Sequence, residues 1–425
     1  MSASIRRALS EYLAGKPAVL QGSAFTASEL AVNRAFVTPA ELWLRSPRIL
    51  RAMRVRGVPE ACLTGACSDY EKMTELLLGL AETAGDTLAA DIANDLAYLC
   101  GKTLDETPIL LWQQAVTALA VRDVTPRALL AAYRAALLPV DVGEQGALAA
   151  FSGTIRPVLD ASALLFREDF SAYLQKLSAA YGMPTDTLTG LEKLLSAAVA
   201  RFAAANAPAI LLDISGYDRF LRPDPYHAGL AFDRLRQGAV LTSEERAVLT
   251  AQLLRTLGAA ALADGLRLVF RVRPKTEHVM GDFSPAAFKK LLCYLAERRV
   301  LPNALLTLAA GELPRGLAPL LDTFSAENAP RLAFGIDGAG ASTAALRRSL
   351  RFYLSRGGAA ALVGITDSDR GFFTTPSLPR FARVLAAELA DFAANDMPVG
   401  FPMEAVFRTA AAILSDNAAK FYGLA

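Results

Sequence analysis

The stretch Ala361-Leu-Val-Gly-Ile-Thr-Asp-Ser-Asp-Arg-Gly-Phe-Phe373 is a short apolar run that ends abruptly in two carboxylates and an arginine. An apolar run bounded by glycine and polar residues reads as a strand buried on both faces, the kind from which parallel sheets are built. The polar residues after such a strand lie at its carboxyl end, where α/β barrels keep their chemistry.

The pattern recurs along the chain. Working back from Ala361–Ile365, which leads to Asp367, further strand candidates are Arg331–Gly335 before Asp337, Ala304–Leu308 before Glu312, and Leu266–Val272, which carries Arg271 and leads to Arg273. Earlier come Ala209–Leu212 before Asp213, Gly153–Val158 before Asp160, Ala136–Leu138 before Asp141, and a brief run at Ala18–Gln21. That makes eight. Most are succeeded by an amphipathic helix, such as Phe288–Arg298, Thr343–Arg356 and Leu378–Phe392. Eight βα units with polar tips on one rim describe an α/β protein with a (β/α)8 barrel. An open doubly wound sheet would use similar strands, but the count of eight favours the barrel.

The rest of the chain fits around these units as one domain spanning residues 1–425. Residues 1 to 16 are expected to form a helix closed by Gly15, and residues 26 to 135 a helical insertion after the first strand, ending in helices at Pro108–Ala120 and Pro126–Ala135. Phe407–Leu414 and Asn417–Phe421 read as a final helix and its cap. The long segment Ser215–Gly229 reads as a polar loop carrying Asp218, Arg219, Arg222, Asp224 and His227, either lining a pocket mouth or simply solvated.

With 44 Lys+Arg against 42 Asp+Glu the net charge is +2, so no nucleic-acid footprint or anionic-membrane surface is expected. The apolar fraction is 53%, much of it scattered alanine, and no uncharged apolar run approaches the roughly 18 residues of a membrane span. Two arginines near the start have no apolar segment behind them, so no signal peptide is expected and the cytoplasm is the expected location. The four cysteines are spaced as buried free thiols rather than as a zinc or redox motif. Only His227 and His278 are histidines, which rules out a three-histidine metal site.

Arg271 and Arg273 are two apart on one strand and therefore share a side. Inside a barrel they need an anionic partner, either Asp367 or a bound carboxylate or phosphate, unless they form an internal salt bridge at the rim. Gly335-Ile-Asp-Gly-Ala-Gly340 lacks the spacing of a dinucleotide fingerprint and reads as a tight turn. Asp367 and Asp369 are either ligands for a divalent ion or a helix cap and its solvated neighbour.

Several segments resemble the uronate isomerase family of the amidohydrolase superfamily: Leu50-Arg-Ala-Met-Arg-Val-Arg-Gly-Val58, Leu63-Thr-Gly-Ala-Cys-Ser-Asp-Tyr-Glu-Lys72, Asp233-Arg-Leu-Arg-Gln-Gly-Ala-Val-Leu-Thr-Ser-Glu-Glu245, Val363-Gly-Ile-Thr-Asp-Ser368 and Asp416-Asn-Ala-Ala-Lys-Phe-Tyr-Gly423. They run in the family's order from about residue 11 to the end. The resemblance implies the barrel and a metal-assisted aldose–ketose isomerisation of glucuronate or galacturonate.

The residues that should perform that reaction are mostly exchanged. The family's first strand ends in His-x-His, and the matching positions are Gly22-Ser23-Ala24. Its fifth-strand histidine falls on Arg271, its Trp-Trp-Phe-Asn-Asp stretch on Gly338–Ser342, and the tyrosine before Arg-Ala-Met-Arg on Arg48. The eighth-strand aspartate persists as Asp367, with the next arginine displaced to Arg370. The fourth-strand Asp-His pair corresponds either to Asp224 or to His227.

These exchanges predict a barrel without a metal site or cofactor, its inherited metal-dependent activity lost or strongly changed, keeping Arg271, Arg273 and Arg370 around a small anionic ligand such as a sugar acid. One alternative is an active, metal-independent isomerase with Asp367 as base. Another is a structural or regulatory paralogue without catalysis. No nucleic-acid or membrane partner is expected, and a homo-oligomer stays open.

Overall fold

The computed structural model describes residues 2–22, 25–80, 87–101, 107–166, 169–273, 282–324, 332–356, 358–366, 371–396 and 402–424. Its strands are β1 (Val19–Gln21), β2 (Ala135–Asp141), β3 (Ile155–Asp160), β4 (Ala209–Asp213), β5 (Arg267–Val272), β6 (Ala304–Ala309), β7 (Leu332–Asp337) and β8 (Leu362–Thr366). All pair in parallel and in sequence order, and the sheet closes into a barrel where Gln21 of β1 meets Thr366 of β8.

The two-residue period of each strand divides its side chains between two environments. Leu268 and Phe270 of β5 and Ile210 and Leu212 of β4 point outward into the layer beneath the surrounding helices. Val269, Leu211, Leu305, Ala333 and Val363 point inward. Both faces are apolar, which is why the strands appear in sequence as continuous apolar runs.

Helix α1 (Ser2–Ala14) precedes β1 and packs on the late helix at Ser377–Asn395. Between β1 and β2 come α2 (Ala27–Val32), α3 (Ala40–Trp43), α4 (Pro47–Val55), α5 (Asp69–Leu80), α6 (Thr87–Cys100), α7 (Pro108–Arg122) and α8 (Pro126–Leu130). This group packs through Trp43, Met53, Met73, Ile92, Leu96 and Leu111 into an apolar cluster shared with Leu20, Leu138 and Ile155 of β1 to β3, into which Phe372 and Phe373 insert from beyond β8. Each fully buried phenylalanine contributes roughly 1.5–3 kcal/mol to holding the two parts together.

The later helices alternate with the strands: α9 (Ala163–Phe166), α10 (Phe170–Tyr181), α11 (Leu188–Ala204), α12 (Pro225–Arg236), α13 (Ser243–Ala263), α14 (Pro285–Glu297), α15 (Leu317–Thr323), α16 (Thr343–Leu354), α17 (Ser377–Asn395), α18 (Met403–Ala411) and α19 (Asn417–Tyr422). Ala418, Ala419 and Tyr422 of α19 join the inward-facing residues and close the barrel floor. Among the described residues no helix is long and apolar enough to cross a membrane.

Two local expectations are corrected. The helix expected over Pro126–Ala135 stops at Leu130, because Ala135 is drawn into register with Val19 of β1. The supposed loop Ser215–Gly229 turns helical at Pro225, where the Asp224 carboxylate caps α12 by accepting the Tyr226 N–H at 3.0 Å. Proline at the first helical position is preorganised for such a start.

Candidate functional site

The carboxyl ends of the strands surround a cavity of about 430 Å³, lined by Gln21, Pro139, Leu211, Val269, Arg271, Arg273, Thr307, Asp337 and Thr366, with Arg45 and Pro47 from the helical group and Tyr422 from α19. Most of these residues are on the inward phase of their strand. Leu211, Val269 and Leu137 supply apolar wall, and the charged residues gather above them.

Four strands end in aspartate, and the structure gives all four the same local task. Each carboxylate accepts the backbone N–H two residues on: Asp141 from Gly143 at 2.8 Å, Asp160 from Ser162 at 3.0 Å, Asp213 from Ser215 at 3.0 Å and Asp337 from Ala339 at 3.1 Å. This is the turn that Asp forms with its own backbone, and it takes the chain out of the barrel. Of the Gly335–Gly340 segment, expected to be a tight turn, Gly335–Asp337 completes β7 and the turn follows at Gly338–Ala341, with Gly340 at φ 63° and the Ala341 N–H donating to the Gly338 carbonyl at 3.0 Å.

Arg273 and Arg271 differ sharply. The Arg273 Nε lies 2.7 Å from the Asp213 carboxylate, whose other oxygen accepts the Ser215 hydroxyl at 2.5 Å. Ser215 Oγ in turn accepts the Arg273 N–H at 2.8 Å, so Arg273 is tied to the β4 tip. Its carboxylate partner among the described residues is Asp213, which stands beside β5 in the sheet, in register with Arg271. The Arg271 Nε is buried and meets no hydrogen-bond partner among the described residues. Burial pulls its guanidinium below the ordinary value, Arg273 adds to that, and Asp160, Asp213 and Asp337 oppose it.

Thr307, paired in register with Arg271, has a buried hydroxyl that likewise lacks a partner among the described residues. Nothing in the run Ala304-Leu-Leu-Thr-Leu308 marked it beforehand except its inward phase. Across from it, the Gln21 Nε2 donates to the Val363 carbonyl at 2.8 Å, while its oxygen accepts the Tyr422 hydroxyl at 2.9 Å. At the mouth, Arg45 forms an ion pair with Glu29, the residue that completes the capping box of α2.

Asp367, Asp369, Arg370 and His278 lie outside the described residues. Asp224 and His227 pair with each other at 2.5 Å on the exposed first turn of α12 and do not line the cavity. The cysteines are free thiols.

Among the described residues the donors do not fit a divalent cation. At the β1 end Gly22 offers no side-chain ligand and the Gln21 oxygen is taken by Tyr422, while β5 directs a guanidinium into the same space. A cation there would face another cation without a carboxylate or imidazole cage among the described residues.

A family model described as glucuronate isomerase matches residues 11–280. Among solved structures, a uronate isomerase from Thermotoga maritima superposes with a TM-score of 0.83 at 18% identity, covering 99% of this chain and 97% of that one. A glucuronate isomerase from Caulobacter crescentus gives 0.82 at 18% identity, covering 100% and 94%. A uronate isomerase from Bacillus halodurans gives 0.69 at 12%, covering 100% and 97%. At these identities the superpositions establish the barrel. No curated protein matches the sequence.

Proposed function

This chain belongs to the glucuronate isomerase family, and from that premise we propose that its barrel keeps a pocket for a small sugar acid while the family's metal-assisted isomerisation has been lost. The observation that carries this reading is Arg271, whose buried Nε–H lacks a partner among the described residues and lies beside an open cavity. Leaving such a donor unsatisfied costs roughly 1–3 kcal/mol, a cost that a ligand carboxylate removes. Asp337 faces the same cavity. A compact inorganic anion therefore meets a repelling carboxylate, whereas a polyhydroxy acid offers its carboxylate to Arg271 and hydroxyl donors to Asp337. Arg45 and Arg273 are already paired, so they contribute mainly by drawing anions to the mouth.

Aldose–ketose isomerisation needs a base and an electrophile that stabilises the enediolate. With no donor set for a divalent cation among the described residues, the electrophile is the part this reading takes to be lost. Asp367 is the candidate base and Arg370 a further anion contact, both assigned from their sequence positions.

Calorimetric titration with D-glucuronate, D-galacturonate and inorganic phosphate tests the reading, together with a turnover assay with and without zinc or manganese. Uronate should bind more tightly than phosphate, without turnover. Arg271→Met should weaken uronate binding by about 10- to 100-fold, the worth of a charged hydrogen bond. Metal-dependent turnover would refute the loss of the metal site. Metal-free turnover abolished by Asp367→Asn would make the protein an arginine-assisted isomerase, and absence of any binding would leave a structural role.

A further inference from the structure

Part of the cavity mouth is built by residues of the helical group, outside any βα unit. Arg45 and Pro47 line it, Ser46 between them is fully buried, and Gly371 presses so closely on Ser46 that a Cβ at 371 would come within 2.3 Å of the Ser46 Cβ. Two buried aspartates one turn apart on α6 bond to the segments on either side of this contact. The Asp95 carboxylate accepts four hydrogen bonds: from the Trp43 indole N–H at 2.8 Å, the Phe373 N–H at 2.8 Å, the Thr374 N–H at 2.9 Å and the Thr374 hydroxyl at 2.6 Å. Asp91 bonds the Arg48 guanidinium at 3.0 Å and forms an ion pair with Arg380, which itself donates to the Ala341 carbonyl beyond β7 at 2.9 Å.

Trp43 and Arg48 thus flank the mouth segment on its two sides, and both are fixed to α6. Phe373 and Thr374 are fixed to the same helix from the β8 side. We infer that Asp91 and Asp95 are positioning residues for the anion pocket, holding residues 45–47 against Gly371 so that Arg45 stays aimed at the cavity. Neither aspartate lines the cavity. The inference rests on reading that cavity as an anion site, but the positioning itself can be measured without a ligand. A carboxylate is the acceptor-only group that can take this set of donors, and an amide in its place turns an N–H₂ toward them.

Hydrogen exchange on full-length protein compares wild type with Asp95→Asn, and with Thr374→Val as a milder variant that removes a single donor should Asp95→Asn not fold. The expected result is faster exchange both at residues 371–376 and across 44–48, with β4 to β6 unchanged. Faster exchange confined to 371–376 would overturn the inference, whether or not any ligand binds. D-glucuronate affinity supplies a second readout through a double-mutant cycle with Arg45→Met. Each single change should weaken binding by about 5-fold, and the pair by no more than the worse single, because residues that do not touch couple only through a shared backbone shift. Additive losses would overturn the positioning role. Wild-type protein that binds no uronate would instead refute the anion pocket, leaving the exchange result to decide whether α6 holds the mouth.

Discussion

Arg271 owes its place to the parity of a strand: Val269 and Arg273 share its phase, and Leu268, Phe270 and Val272 take the other. That much is local and legible from the sequence. Thr307 obeys the same rule but sits in an apolar run, and its importance appears only because β6 lies beside β5 and sets the two in register. Both leave a polar atom without a partner among the described residues, which costs stability unless the cavity is filled. Thr307→Val keeps the shape and removes the orphan hydroxyl. The variant should gain about 1 kcal/mol of stability, read as a higher thermal midpoint, while binding uronate more weakly. A lower midpoint with unchanged affinity would show that the hydroxyl has a structural partner and no part in the pocket.

Among the elements, β8 is the least regular, and its glycine explains why. Gly364 has φ +71°, pairing with β7 shifts register between Phe334 and Ile336, and a Cβ at 364 would lie 2.7 Å from the Ile413 carbonyl oxygen. The bulge lets the strand bend against the segment that leads into α19. Gly364→Ala should therefore cost about 2 kcal/mol or more, through both the left-handed backbone and the clash. Urea unfolding measures it, and a loss below the ordinary scatter of surface substitutions would show that the bulge relaxes freely. The apolar run at 361–365 identifies the strand from sequence. The bulge is not legible there, since glycine in an apolar run is equally compatible with regular pairing.

For the whole molecule, the link between α6 and the segment beyond β8 couples the helical group to the barrel and makes stability depend on pH. Burial pushes the Asp95 carboxyl up to about 6 from an ordinary 3.8, outweighing the donors from Thr374, Trp43 and Phe373 that favour the charged form. Between those values the folded protein keeps a proton that the unfolded chain has lost, so this group's contribution is fully present below pH 4 and declines as pH rises toward 6. Wild type minus Asp95→Asn, measured by denaturant unfolding, should fall by roughly 2 kcal/mol between pH 4 and pH 7. A difference that is flat with pH would mean that the four donors keep Asp95 ionised. By itself the sequence determined the eight strands, the barrel and the inward phase of Arg271 and Arg273, because apolar periodicity is a local property that each segment carries alone. Only the tertiary structure decided that Asp213 takes Arg273, that the Arg271 Nε goes without a partner among the described residues, and that Asp91 and Asp95 hold the mouth. Those arrangements join residues as far apart as Asp95 and Phe373, and they form only when the barrel closes and brings the helical group over its rim.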